Sequence, residues 1–182
     1  MSGHSKWAQI KHKKTASDAK RGQLFSKLSK VITIAVKEMG GDPRSNSKLA
    51  AAIEEAKAVN LPKENIERAV KRAAEKDSSE LKEVLYEAYG PGGSALIVTA
   101  ITDNSNRTTN EIKHTLSLHG GKLGEHGSAM WAFDKKGMEF TAKFPLTLSE
   151  HDSKLFEDLL SALDDNEDVQ EVYSNAETSS AQ

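Results

Sequence analysis

The sequence predicts an α+β protein: an N-terminal three-helix domain followed by a ferredoxin-like α/β domain with an extra N-terminal strand. Three observations carry this. Apolar residues recur at helical spacing from residue 18 to about residue 75. The period changes after the polar stretch Lys76–Glu80. The remainder then reads β-β-α-β-β-α-β, which without its first strand is the split β-α-β order of ferredoxin-like domains. The expected division is a basic helical domain over 1–76, a linker over 77–81, an acidic α/β domain over 82–174 and a flexible tail over 175–182.

The elements follow in order. Leu24, Leu28, Ile32, Ala35 and Val36 place a helix over 18–38, stopped by Gly40-Gly41-Asp42-Pro43. Leu49, Ala52, Ile53 and Ala56 mark a second helix over 47–59. Pro62 begins a third at a first-turn position, where its missing N–H costs nothing, and Ile66, Val70 and Ala73 form the stripe. "EVLYEAYG" and "SALIVTAIT" read as a hairpin across Gly90-Pro91-Gly92-Gly93. "NRTTNEIKHTLSLHG" is helical, with Thr108 and Glu111 at capping-box spacing and Asn106 as the alternative cap. "SAMWAF" and "MEFTAKF" flank a second hairpin turn. Ser153–Leu163 is a helix, and "DVQEVYS" a last strand.

Composition sets the limits on function. The 182 residues contain no cysteine, which excludes disulfides, thiolate metal sites and cysteine nucleophiles. No apolar run reaches the length of a membrane span, and no apolar signal segment follows the basic N-terminus, so a cytoplasmic protein is expected. The formal net charge of −2 conceals a segregation: residues 1–76 carry +9 and residues 77–182 carry −11. "SGHSKWAQIKHKK", residues 2–14, contains four lysines and no acid. Such asymmetry points to a polyanionic partner for one end, or to attraction between the two halves.

Catalytic signatures are missing. His119 and His126 lie in "HGGKLGEHG" with Glu125 between them, a pattern better read as a glycine-rich loop than as a metal site. "YGPGGS" lacks the Gly-Lys-Ser/Thr ending of a phosphate loop and precedes a strand instead of a helix. "DDNEDVQE" lacks the alternation and central glycine of a calcium loop. No enzyme activity, metal or cofactor is expected. The stronger candidates are cationic. Lys6, Lys11, Lys13, Lys14, Lys20 and Arg21 are placed as phosphate contacts, with His12 adding charge when protonated. Trp7 either stacks on an exposed base or staples its segment to the first helix. Arg107, near a helix start, is a weaker second anion contact for which a structural role is favoured.

"GHSKWAQIKHKK", "DAKRGQLFSKL", "NLPKENIERAVKR", "YEAYGPGG", "TDNSNRT", "HGGKLGEHGS" and "DVQEVYSNAE" together resemble the YebC/PmpR family, in the family's order and over nearly the whole chain. The resemblance implies an N-terminal helical domain, α/β domains behind it, and a regulator of transcription that binds DNA. Members of that family also include a mitochondrial translational activator and bacterial relatives implicated in relieving ribosome stalling on proline-rich sequences. One departure is visible: the family's third domain, inserted after the hairpin of Trp131, Phe133, Lys136 and Gly137, looks absent. Three readings result. A DNA-binding transcriptional regulator comes first, a ribosome-associated translation factor that binds ribosomal RNA second, and a protein-binding adaptor third. Lysine-rich contacts supply affinity with little base discrimination, so DNA and ribosomal RNA stand nearly level.

Overall fold

A computed structural model describes residues 18–75 and 80–177. Three helices come first: α1 (Asp18–Met39), α2 (Ser47–Ala58) and α3 (Lys63–Ala74). Leu24, Leu28, Ile32, Ala35 and Val36 of α1 pack with Leu49, Ala52 and Ala56 of α2 and with Ile66 and Ala73 of α3. Helix α1 ends on Gly40, whose φ of 86° is the left-handed conformation of a helix C-terminus. The α1–α2 corner is fastened by Asn46, which is fully buried. Its side-chain oxygen accepts the Leu49 N–H at 3.0 Å, and its amide nitrogen donates to the Ala35 carbonyl at 2.7 Å and to the Gly40 carbonyl at 2.8 Å. One side chain thus caps the start of α2 and ties it to the carbonyls of Ala35 in the last turns of α1 and of Gly40 just past its end. Pro62 is the N-cap of α3, one position earlier than its expected first-turn place.

The second unit is built on a four-stranded antiparallel sheet in the order Lys122–Leu123, Lys82–Tyr89, Ala95–Thr102, Val169–Ser174. Strands β1 (Lys82–Tyr89) and β2 (Ala95–Thr102) form the expected hairpin, with Tyr89 opposite Ala95. Gly92 and Gly93 take φ of 68° and 79° in its turn, and a Cβ on Gly92 would meet Leu148 Cδ2 at 2.7 Å. Helix α4 (Ser105–Leu118) then crosses to the two-residue strand β3 (Lys122–Leu123), which pairs with β1 on the far side from β2. Helix α5 (Glu150–Asp164) leads to β7 (Val169–Ser174), which pairs with β2. Both helices cover one face: Ile112 and Leu116 of α4 and Phe156, Leu159 and Leu163 of α5 pack on Tyr86, Ala88, Leu96 and Val98.

The split β-α-β unit is therefore present with a different occupant at its centre. The strand expected to be extra, β1, lies between β2 and β3, while the second hairpin leaves the sheet. Strands β4 (Phe133–Lys136) and β5 (Glu139–Ala142) form a separate two-stranded sheet on the opposite face. There Phe133 and Phe140 pack with Ala95, Ile97 and Tyr173. Glu87 directs the change of face. Buried on β1, it accepts the N–H groups of Gly127 at 2.5 Å, Ala129 at 2.7 Å and Met130 at 2.8 Å, tying the 124–130 loop to the sheet. Burial by itself would raise the Glu87 carboxyl; the three amide donors and nearby His126 outweigh it and hold it below the ordinary range.

Three further details differ from the sequence reading. Residues 130–132 of "SAMWAF" form a 3₁₀ turn before β4 starts at Phe133. The cap of α4 is Asn104, which accepts the Arg107 N–H at 3.1 Å, so the helix starts earlier than the Thr108–Glu111 box or Asn106 implies. The expected tail from 175 begins in an ordered strand: β8 (Ala176–Glu177) pairs in parallel with β6 (Leu146–Thr147). The Asn175 side chain explains the order, accepting the Ala95 N–H and donating to the Phe144 carbonyl, both at 2.8 Å.

Candidate nucleic-acid interface

Lys6, Trp7, Lys11, His12, Lys13 and Lys14 lie outside the described residues. The candidates Lys20 and Arg21 lie in the first turns of α1, and their surroundings show how the charge segregation is used within the chain. Residues 20, 23, 27 and 30 share one face of α1, beside its apolar stripe. That face meets the loop after α5, the acidic stretch Asp164–Asp168. Lys20 pairs with the Asp165 carboxylate, and the Gln23 side chain donates to the Asp165 carbonyl. Lys27, only 3% exposed, donates to the Asp164 carbonyl at 2.5 Å and stands 3.3 Å from its carboxylate. Lys30 donates to the Glu167 carbonyl at 3.0 Å and to Asp168 Oδ1 at 2.6 Å. Part of this attraction is to backbone: the last carbonyls of a helix have no intrahelical partner and carry its negative end, so lysines suit the C-terminus of α5. Arg21 pairs with Asp18 one turn back, at 2.5 Å.

Asp168 is the centre of this contact. It is 5% exposed, and besides Lys30 it accepts from Arg107 Nη2 at 2.9 Å and Thr108 Oγ1 at 2.7 Å. Burial would raise its pKa, but the bonds from Lys30, Arg107 and Thr108 prevail and hold it at about 2. The anions that Arg107 meets are thus the protein's own: Asp168, Asp103 at 3.0 Å and, more loosely, Glu111 at 3.9 Å. They push the guanidinium pKa up, with Asp168 the largest cause. A second bridge joins the units where Lys48 of α2 meets Glu38 at 3.1 Å and Glu83 of β1 at 2.9 Å. Between the bridges, α1 and α2 face the open side of the sheet across a cavity of about 650 Å³ lined by Leu28, Val31, Ala52, Leu85, Ile101 and Phe140, among others.

Sequence reasoning singled out Lys20, Arg21 and Arg107 but missed Lys27, Lys30 and Asp168. The signal available was the match between lysines at helical spacing in α1 and the run "DDNED", which no local window connects. It also gave no functional role to α3, where Arg68, Lys71 and Arg72 are exposed and make no ion pair among the described residues. Among the described residues no group of three or more His, Asp or Glu side chains is placed to hold a metal ion. No helix among them is long and apolar enough to cross a membrane.

A basic three-helix unit docked through ion pairs on an acidic split β-α-β sheet defines a two-part α+β protein. Family models place it. Residues 5–76 match the TACO1/YebC protein N-terminal domain, and residues 81–143 match the TACO1/YebC second and third domain. The chain belongs to the TACO1/YebC family. It is 58% identical over 144 residues to a probable transcriptional regulatory protein of Thermoanaerobacter pseudethanolicus, across 79% of this chain and 58% of that one. The chain thus aligns with less than two thirds of that relative. A probable transcriptional regulatory protein of Caldanaerobacter subterraneus is 42% identical over 239 aligned positions, taking in 97% of this chain and 98% of the relative. That alignment is longer than the 182-residue chain, so the relative carries an internal stretch that this shortened form lacks. The crystal structure of a conserved hypothetical protein, Aq1575 from Aquifex aeolicus, superposes with a TM-score of 0.82 at 31% identity, over 90% of this chain and 93% of that one.

Proposed function

We propose that this chain is a nucleic-acid-binding regulator, first of all a DNA-binding regulator of transcription, that grips phosphates through its lysine-rich opening segment. The observation that carries the reading is the acid-free stretch 2–14, with Lys6, Lys11, Lys13 and Lys14, in a chain whose relatives bear the name probable transcriptional regulatory protein. Trp7 adds a stacking surface and His12 a charge at low pH. Lys20 and Arg21 extend the segment into α1, where a phosphate would exchange with Asp165 and Asp18. The engagement of Lys27 and Lys30 by the loop after α5 supports giving the leading role to the segment ahead of α1. The acidic α/β unit keeps the chain soluble and opposes nonspecific adsorption.

The chemistry of the segment favours a second reading, in which the partner is ribosomal RNA and the chain a ribosome-associated translation factor. Lysine reads phosphate and not base edges, so it serves RNA as well as DNA. Sedimentation of the tagged chain in a gently lysed extract, with and without DNase, separates the two. Migration with ribosomes that resists DNase and disappears in the Lys11→Glu/Lys13→Glu/Lys14→Glu variant makes translation the function. Migration that DNase abolishes makes it transcription, and charge reversal without effect on either removes the segment from both.

A further inference from the structure

We infer that α3 carries a second phosphate-contact strip, made of Arg68, Lys71 and Arg72, which takes the backbone of the same nucleic acid as the opening segment. The inference rests on the nucleic-acid reading above and adds a site to it. At 100° per residue these three side chains straddle the line opposite the packed residues Ile66, Ala69, Val70 and Ala73, so they project away from the helical core. All three are exposed.

Their electrostatic situation sets them apart. Across the described helical unit, Lys20, Arg21, Lys27, Lys30, Arg44, Lys48, Lys57 and Lys63 each pair with a carboxylate of this chain. Arg68, Lys71 and Arg72 do not, although Glu64 and Glu75 border them on the same face. The acids of α3 are used otherwise or left alone, since Glu67 turns to Lys63 at 3.6 Å. Two guanidinium groups one turn apart suit phosphate oxygens, which they meet two bonds at a time. A polyanion reaching Lys20, Arg21, Lys27 or Lys30 of α1 must displace Asp165, Asp18, Asp164 or Asp168 from a formed contact. One reaching α3 displaces only water and counterions, the event that drives nucleic-acid association.

The strip also lies far from Asp18, where the described part of the first helix begins. A Cβ on Gly41 would meet Val70 Cγ1 at 3.3 Å, which puts this half of α3 beside the C-terminal end of α1. The lysine-rich segment joins α1 at the other end, Asp18, 22 residues or about 33 Å away along the helix. A backbone that meets the strip and also the Asp18 end of α1 would do so through different phosphates.

The test uses the full chain and fluorescein-labelled 24-base-pair duplexes of DNA and of RNA, with affinity measured by anisotropy from 50 to 300 mM salt. For the Arg68→Glu/Lys71→Glu/Arg72→Glu variant, affinity at 150 mM salt is expected to fall at least tenfold, and the slope of log affinity against log salt to lessen by about 3, close to 1 per lost phosphate contact. The Arg68→Gln/Arg72→Gln variant keeps good helix formers and is expected to lessen the slope by about 2. Unchanged affinity and slope in both variants, while Lys11→Glu/Lys13→Glu/Lys14→Glu weakens binding, overturns the strip and leaves the nucleic-acid reading standing. Failure of the unaltered chain to bind either duplex removes both.

Discussion

Asp168 shows how one side chain ties three elements together. It follows α5, holds α1 through Lys30, and holds α4 through Arg107 and Thr108. Asp168→Asn leaves Lys30 without its carboxylate and Arg107 with only Asp103 and Glu111, beside a buried site, and a loss of about 3 kcal/mol is expected, read from urea unfolding. The pH dependence has a definite sign. The folded carboxyl titrates at about 2 against an ordinary 3.8, so its stabilisation is complete above pH 4 and is lost as pH falls toward 2. The amount is about 2 kcal/mol. Acid unfolding curves of the native chain and the Asn variant should therefore converge below pH 3; parallel curves would mean that Asp168 is not the titrating group. Glu87 obeys the same logic at the 124–130 loop, where only an acceptor-only carboxylate takes three amide N–H donors.

Among the elements, joints are more sensitive than spans. Asn46→Ala removes the cap of α2 and the side-chain bonds to the Ala35 carbonyl of α1 and the Gly40 carbonyl after it, in a buried corner. A cost of about 2–3 kcal/mol is expected, above that of an ordinary exposed cap, measured by thermal or urea unfolding. Gly92→Ala combines a positive φ with a Cβ 2.7 Å from Leu148 Cδ2. It should destabilise the β1–β2 hairpin by about 2 kcal/mol, whereas alanine at Gly22, where a Cβ meets nothing within 4 Å inside α1, should stabilise by up to about 1 kcal/mol. Equal effects at both glycines would contradict the conformational argument. These joints were partly legible. Glycine clusters marked both turns, and Asn46 precedes a periodic run as caps do, yet nothing near Asn46 in sequence announced its bonds to Ala35 and Gly40.

For the whole molecule, coupling between the units depends on the face of α1 that meets the loop after α5. Lys27 is buried and Lys30 nearly so, while the Lys20–Asp165 pair is half exposed. Exposed pairs contribute little and are screened by salt; buried ones are costly to break. Lys27→Ala/Lys30→Ala should therefore uncouple the halves. In a Trp7→Phe background, helix loss at 222 nm and Trp131 fluorescence should coincide on heating the otherwise native chain and separate in the double variant. Asp165→Asn should leave them coincident.

The helices and the β1–β2 hairpin could be read from the sequence because their signals are local: a period of 3.6, alternation, and glycines that break each run. The charge segregation was equally legible, being a matter of composition. The order of strands was not. Placing β1 between β2 and β3 requires a two-residue strand too short to register as a pattern, and sending the second hairpin to the opposite face requires a carboxylate on β1, 40 residues before the loop glycine it holds. The docking of α1 on Asp164–Asp168 joins residues some 137 apart, and only burial of the sheet and helix faces against each other selects which lysines meet which acids. Local periodicity prescribes each element. Non-local burial and charge pairing, available only once the chain has closed on itself, prescribe how the elements are arranged and which cations remain for a partner.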